Sequence, residues 1–215
     1  SAMRDEPIAP RTAYALLGLT LAVGCYLRWL PLSGISLSSV ISGDSLEYQL
    51  LAEFFLDTDG SPPGNRYPGL PLFLTMLYAL LPFSHTSIQV FVSMSLGVAV
   101  IACTFRLAAS VGGLSVGLAA AVLVALHPDM TNNAHLGLTE EMFLVLFLTL
   151  LTIFLYSEGL QRITWWQYSL IGGLGGVMAM VRPDSAYAVI PMFLAAVWKE
   201  RHNGVRRIAM TLPVI

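Results

Sequence analysis

The chain has 215 residues, 56% of them apolar and 11% charged, and a formal net charge of −2. Soluble domains carry about 25% charged residues, so this chain cannot coat a water-facing surface, and its balance offers no basic face to nucleic acid. A bilayer-facing surface needs no charge, and the deficit points to lipid. Ser1-Ala2 before Met3 reads as the remnant of a cleaved tag, and 3–215 as one transmembrane module. The first apolar run, 14–30, has no small-residue cleavage site and is expected to stay as a helix. A long loop, 31–87, follows. Within it 44–56 is rich in leucine and aromatics, 68–81 is a second apolar segment, and 57–67 is turn chemistry built of Gly, Pro and Asp. This pattern predicts two interfacial helices joined by an ordered loop. Further apolar runs are 88–108, 111–126, 142–156, 165–181 and 186–198, and another begins at Ile208. The last residues, 211–215, stop inside that run, so the chain is expected to be truncated there, because a half-helix in lipid leaves backbone groups unpaired. The fold class is all-α: a polytopic membrane helix bundle with two interfacial helices in its first outer loop.

Small residues support helix packing. Gly113 with Gly117, and Gly172 with Gly176, have the spacing that lets membrane helices approach closely. The 172–176 stretch lacks the preceding strand that a phosphate-binding glycine loop needs. Cys25 and Cys103 lie inside apolar runs and read as small buried hydrophobes.

With a cytoplasmic N-terminus and alternating helices, eight of the 11 Lys and Arg residues fall on the cytoplasmic side, leaving Arg28, Arg66 and Arg182 outside. That asymmetry is the one insertion favours. Nine of the 13 acids collect on the outer face. Acids do little for topology, so their bias suggests that chemistry or cation binding belongs there.

Asp44 opens the first interfacial segment and Glu47 follows three residues later. Two readings stand: an N-cap with Glu47 completing a capping box, or a general base. For the second, Asp44, Glu47, Tyr48 and Leu51 share one helical face, where apolar neighbours would raise a carboxylate's proton affinity. Arg66 and Arg182 either snorkel or pair with nearby acids, or bind an anionic lipid headgroup, since guanidinium matches phosphate bidentately. His127, Asp129, His135, Glu140 and Glu141 crowd one short outer loop. Asp129 and His135 are candidate ligands of a divalent cation; the alternative is a solvated loop in which Thr139 caps the next helix and Glu140 and Glu141 occupy its first turn.

The order of these features resembles the N-terminal membrane module of GT-C fold glycosyltransferases, closest to the protein O-mannosyltransferase and aminoarabinose-transferase branch. The resemblance rests on Gly43-Asp44-Ser45-Leu46-Glu47-Tyr48, on Asn65-Arg66-Tyr67-Pro68-Gly69-Leu70-Pro71, on His127-Pro128, on Leu138-Thr139-Glu140 and on Arg182-Pro183. It implies a sugar donor carried on a polyprenyl phosphate, used at the outer face of a prokaryotic cell membrane. Asp44 matches the early acid taken as catalytic base, and Glu140 the acid opening the helix after the second outer loop. Arg66 and Arg182 match the family's two arginines, with Glu47 and Tyr67 beside them as substrate-binding residues. The Asp-Glu pair usual in the family stands here as Asp44-Ser45. The chemistry is coherent: the acceptor must lose a proton as it attacks the anomeric carbon, and the departing phosphate needs cations. A catalytically silent scaffold of the same fold is the alternative. A transporter is disfavoured because nearly every charge sits at a helix end.

Overall fold

The computed structural model describes residues 8–36, 40–41, 43–57, 64, 66–134, 136, 139–158 and 165–200. His135, Leu138, Asn65, the turn residues 58–63 and the apolar segment from Ile208 lie outside the described residues. Among the described residues all regular structure is helical: α1 (Pro10–Trp29), α2 (Asp44–Leu56), α3 (Gly69–Leu80), α4 (His85–Leu126), α5 (Pro128–Asn133), α6 (Thr139–Glu158), α7 (Trp165–Val181) and α8 (Ala186–Glu200). Short 3-10 turns cover Leu30–Leu32 and Pro183–Ser185. Among the described residues three helical segments, Pro10–Leu32, His85–Leu126 and Thr139–Tyr156, are long and apolar enough to cross a membrane. The protein is an all-α membrane helix bundle.

The 42 residues of α4 would reach about 63 Å if straight, twice a bilayer core. The chain turns back instead at Gly113, whose φ of 82° and ψ of 176° suit only glycine. The result is a hairpin of two arms, 85–112 and 114–126. Its arms meet closely: a Cβ on Gly117 would lie 2.9 Å from the Phe105 carbonyl oxygen. Gly113 is thus a turn and not the packing residue its spacing with Gly117 suggested. In the glycine-rich α7, Gly175 makes a close approach to Val189 of α8, where an added Cβ would lie 2.8 Å from Cγ1.

Helix α1 lies against this hairpin through Ala13, Ile101, Phe105, Leu118, Ala121 and Ala125. A second core joins α6, α7 and α8 through Leu150, Ile171, Met178 and Val189. Helices α2 and α3 pack on the 85–112 arm through Tyr48, Ala52, Leu70, Leu74, Tyr78, Ile88 and Val92. At 12 residues α3 extends about 18 Å, too short to cross. Polar ties fix this layer. Gln89 Nε2 donates to the Ser45 carbonyl at 2.8 Å, and Thr75 Oγ1 to the Ala52 carbonyl at 3.1 Å. The cysteines differ from expectation: Cys25 is exposed on α1 and only Cys103 is partly buried.

Candidate functional site

Helix α2 begins at Asp44, but its N-cap is Gly43, and no side chain caps it. The capping-box reading therefore does not hold. Asp44 and Glu47 occupy the first turn, where acids suit the helix dipole. The buried face of α2 is Ser45, Tyr48, Leu51 and Ala52, turned by one residue from the face expected. Both carboxylates consequently sit at the rim, with side chains 56% and 43% exposed. They are not pressed against apolar neighbours.

What occupies them is Arg66. Its Nε donates to Glu47 Oε2 at 2.5 Å, and its Nη2 donates to Asp44 Oδ1. The guanidinium also lies over the Tyr48 ring, 5.8 Å from its centroid. The hydrogen bond to Glu47, reinforced by the charges of Asp44 and Glu47, holds Arg66 above its ordinary pKa.

A second cluster has the same form. Helix α7 ends at Val181, and Arg182 is extended ahead of Pro183, as the residue before proline prefers. Arg182 Nη1 donates to Glu140 Oε1 at 3.2 Å, and its Nε to Asp184 Oδ1 at 3.4 Å. The ring of Phe143 lies 5.8 Å from its guanidinium carbon. Glu140 stands in the first turn of α6, so this cluster ties α6 to the end of α7.

Gly69 joins the two clusters. A Cβ there would lie 2.7 Å from the Val181 backbone nitrogen and 2.8 Å from the Met180 carbonyl carbon. Only glycine lets the start of α3 approach α7 so closely. Arg66 lies three residues before this contact and Arg182 one residue after it. Two guanidiniums and four carboxylates, Asp44, Glu47, Glu140 and Asp184, are thereby gathered at one end of the bundle. Each arginine engages two acids, yet a guanidinium carries five N–H donors, so donors remain on both.

The other expected residues stand apart. Tyr67 is half exposed, beside Arg66 in sequence. Asp129 is exposed in the first turn of α5, and His135 lies outside the described residues. Among the described residues no three of His, Cys, Asp and Glu gather as a metal site would need, so Asp129 has no ligand group around it there.

Two residues escaped the sequence reading. Arg28 is 0% exposed and Glu141 2% exposed. The sequence presents Arg28 as one of three outer cations, and Glu141 as a first-turn acid or one of the metal-ligand types crowding the outer loop. The signal was present for Arg28, a lone charge inside the apolar run 14–30, where membrane placement is expensive. For Glu141 there was none, because which of two adjacent acids faces inward depends on helix rotation.

A comparison with protein-family models matches residues 62–215, nearly three-quarters of the chain, to the dolichyl-phosphate-mannose-protein mannosyltransferase family. Arg66, Glu140 and Arg182 lie inside the matched range, whereas Asp44 and Glu47 precede it and reach the site through Arg66. No curated protein matches the chain. With an all-helical membrane bundle and this match, the chain belongs to the dolichyl-phosphate-mannose-protein mannosyltransferase family of GT-C membrane glycosyltransferases.

Proposed function

We propose that this protein transfers a sugar from a polyprenyl-phosphate donor to an acceptor at the outer face of the membrane. The observation that supports it best is the gathering of Asp44, Arg66, Glu140 and Arg182 at one end of the bundle. Asp44 takes the proton from the acceptor as the acceptor attacks the anomeric carbon. The bond between that carbon and the phosphate oxygen breaks, and the lipid phosphate leaves with the bonding electrons. Spare N–H donors of Arg66 and Arg182 take up the charge on its oxygens. Glu47 and Glu140 orient the arginines, and Tyr67 lies where the donor enters. Glu140 is the next base in line if Asp44 is not the proton acceptor.

Each guanidinium already holds carboxylates, so donor phosphate competes with them. A divalent cation would ease that competition. Asp129, the described member of the expected ligand pair, belongs to no group of three such side chains among the described residues, and the steps above are carried by the protein's own side chains. Purified protein with a radiolabelled polyprenyl-phosphate sugar and candidate acceptors tests the reading. Transfer of label supports it; donor binding without transfer under any acceptor favours the scaffold.

A further inference from the structure

A cavity of about 710 Å³ lies between the first arm of α4, the end of α6 and the start of α7. Arg106, Thr152, Tyr156 and Trp166 are among the residues that line it, and Ile153, Leu155 and Leu170 give it apolar walls. The arm of α4 begins at His85, packed with α2 and α3, and Arg106 stands 21 residues further on (106 − 85). At roughly 1.5 Å per residue that is about 32 Å, the thickness of a bilayer core. Helix α6 likewise runs from Glu140, held by Arg182, to Tyr156 and beyond, and α7 starts at Trp165 and ends beside Arg182. The cavity is therefore at the end of the bundle opposite the arginine clusters, one bilayer away. None of its residues takes part in the mechanism above.

Its chemistry favours an anion. Among the described residues that line it, Arg106 alone carries charge. Arg66 and Arg182 each hold two acids, whereas Arg106 is exposed and has no ion pair or side-chain hydrogen bond among the described residues. Ser110 Oγ donates to the Leu107 carbonyl at 2.6 Å and Thr152 Oγ1 to the Leu148 carbonyl at 2.7 Å, so both hydroxyl protons are engaged within their own helices. The guanidinium is the strongest donor left to a ligand, and its fork matches phosphate bidentately. No carboxylate among the described lining residues stands ready for an ammonium or choline group. Tyr156 and Trp166 are 67% and 52% exposed, amphipathic rings of the kind that sit at headgroup level. A free phosphate would meet the guanidinium and leave the apolar walls unused; a phospholipid uses both.

We propose that this cavity binds one anionic membrane phospholipid, with its phosphate on Arg106, its headgroup beside Tyr156 and Trp166, and an acyl chain along Ile153, Leu155 and Leu170. The bound lipid bridges α4, α6 and α7 at the end of the bundle away from the proposed transfer. With the arginine clusters facing outward, that leaflet is the cytoplasmic one. The site stands whether or not the protein transfers sugar.

Trp166 serves as the reporter. With Trp29, Trp165 and Trp198 replaced by Phe, the whole protein is reconstituted in phosphatidylcholine vesicles. Increasing amounts of either phosphatidylglycerol or phosphatidylcholine brominated on an acyl chain are then included, and quenching of Trp166 is read. Phosphatidylglycerol is expected to reach half-quenching at a mole fraction about fivefold lower, the worth of one cation at the membrane surface. Arg106→Gln, which breaks no contact with a described side chain, should erase that preference. Thr152→Phe crowds the cavity with the charge kept and should erase it too. Inorganic phosphate added at constant ionic strength should leave the quenching unchanged. Equal quenching by the two lipids, or an undiminished preference in Arg106→Gln, overturns the proposal. A preference that survives in folded Thr152→Phe would place the lipid on the surface and not in the cavity, and displacement by inorganic phosphate would make this a phosphate site; either overturns it. If the protein does not fold with one tryptophan, native mass spectrometry of the unsubstituted chain decides. Phosphatidylglycerol should then stay bound to the parent and be lost from Arg106→Gln, and equal retention by both counts against the site.

Discussion

Asp44 and Glu47 share one guanidinium, but the chemistry asks different things of them. Gly43 caps α2, so Asp44→Asn removes only a first-turn charge, about 0.3–1 kcal/mol of helix-dipole interaction. An amide cannot accept the acceptor's proton. Asp44→Asn is therefore expected to fold and bind donor while its turnover falls roughly 10²- to 10⁴-fold, the usual worth of a positioned base. Glu47→Gln on the same turn should lose much less, and near-normal turnover in Asp44→Asn at saturating donor would pass the role to Glu140. Melting curves taken first separate lost chemistry from lost fold. Reversing Arg66 or Arg182 to Glu leaves its acids unpaired and repels the donor phosphate. Donor binding, measured by titration, should weaken roughly 10- to 100-fold; unchanged affinity would remove the arginines from the phosphate site. The sequence brought forward Asp44, Glu47, Arg66, Glu140 and Arg182 because each is a charge beside a turn or helix end. It could not tell which acid each arginine holds, since 116 residues (182 − 66) separate the arginines and only folding decides the pairing.

The elements that carry the site are placed by two contacts which local pattern does not announce. One is the stack of Tyr78 on His85, centroids 4.1 Å apart, beside the pair His85 Nδ1 and Glu53 Oε1 at 2.9 Å. It links α2, α3 and the start of α4. Burial, with the nearby charge of Glu53, raises the pKa of the Tyr78 hydroxyl, which has no hydrogen-bond partner among the described residues. The unfolded phenol ionises from about pH 10 while the folded one stays neutral. Stability is therefore intact below about pH 10 and is lost as pH rises toward the folded value. Tyr78→Phe should melt at or above the parent temperature at neutral pH and show a shallower alkaline loss; an equal loss would assign the effect to another group. The other contact is Gly69 on the Val181 backbone. Gly69→Val overpacks it, and a loss of about 1–3 kcal/mol in chemical or thermal unfolding is expected. The apolar runs located every one of the long helices to within a few residues, since length and hydropathy suffice for that. They separate 88–108 from 111–126, so the two arms are legible, but not that the turn falls at Gly113, because a positive φ and a close helix approach both select glycine.

At the scale of the whole molecule, chain direction and charge make one joint statement about sidedness. Successive segments run in alternating directions, so the loop bearing Arg66, the α5–α6 segment and the turn after α7 share an end, and the Gly113 turn lies at the other. We propose that the first end faces outward, because only three of the 11 cations belong to it and cytoplasmic loops retain Lys and Arg. A polyprenyl-linked donor requires the same end to meet the bilayer edge, so topology and chemistry stand or fall together. Two exposed positions read the sides independently: Tyr67 beside Arg66, and Val111 two residues before the Gly113 turn. With Cys25 and Cys103 replaced, Tyr67→Cys should react with an impermeant thiol reagent added outside sealed cells. Val111→Cys should react only after the membrane is opened. The reverse pattern would turn the bundle over and place the Asp44 and Glu140 clusters in the cytoplasm. A donor used outside could not reach them there, and the proposed transfer at the outer face would fall with the topology. Equal labelling of both positions from one side would instead contradict the hairpin at Gly113, since its first arm must carry the chain from one face to the other between them.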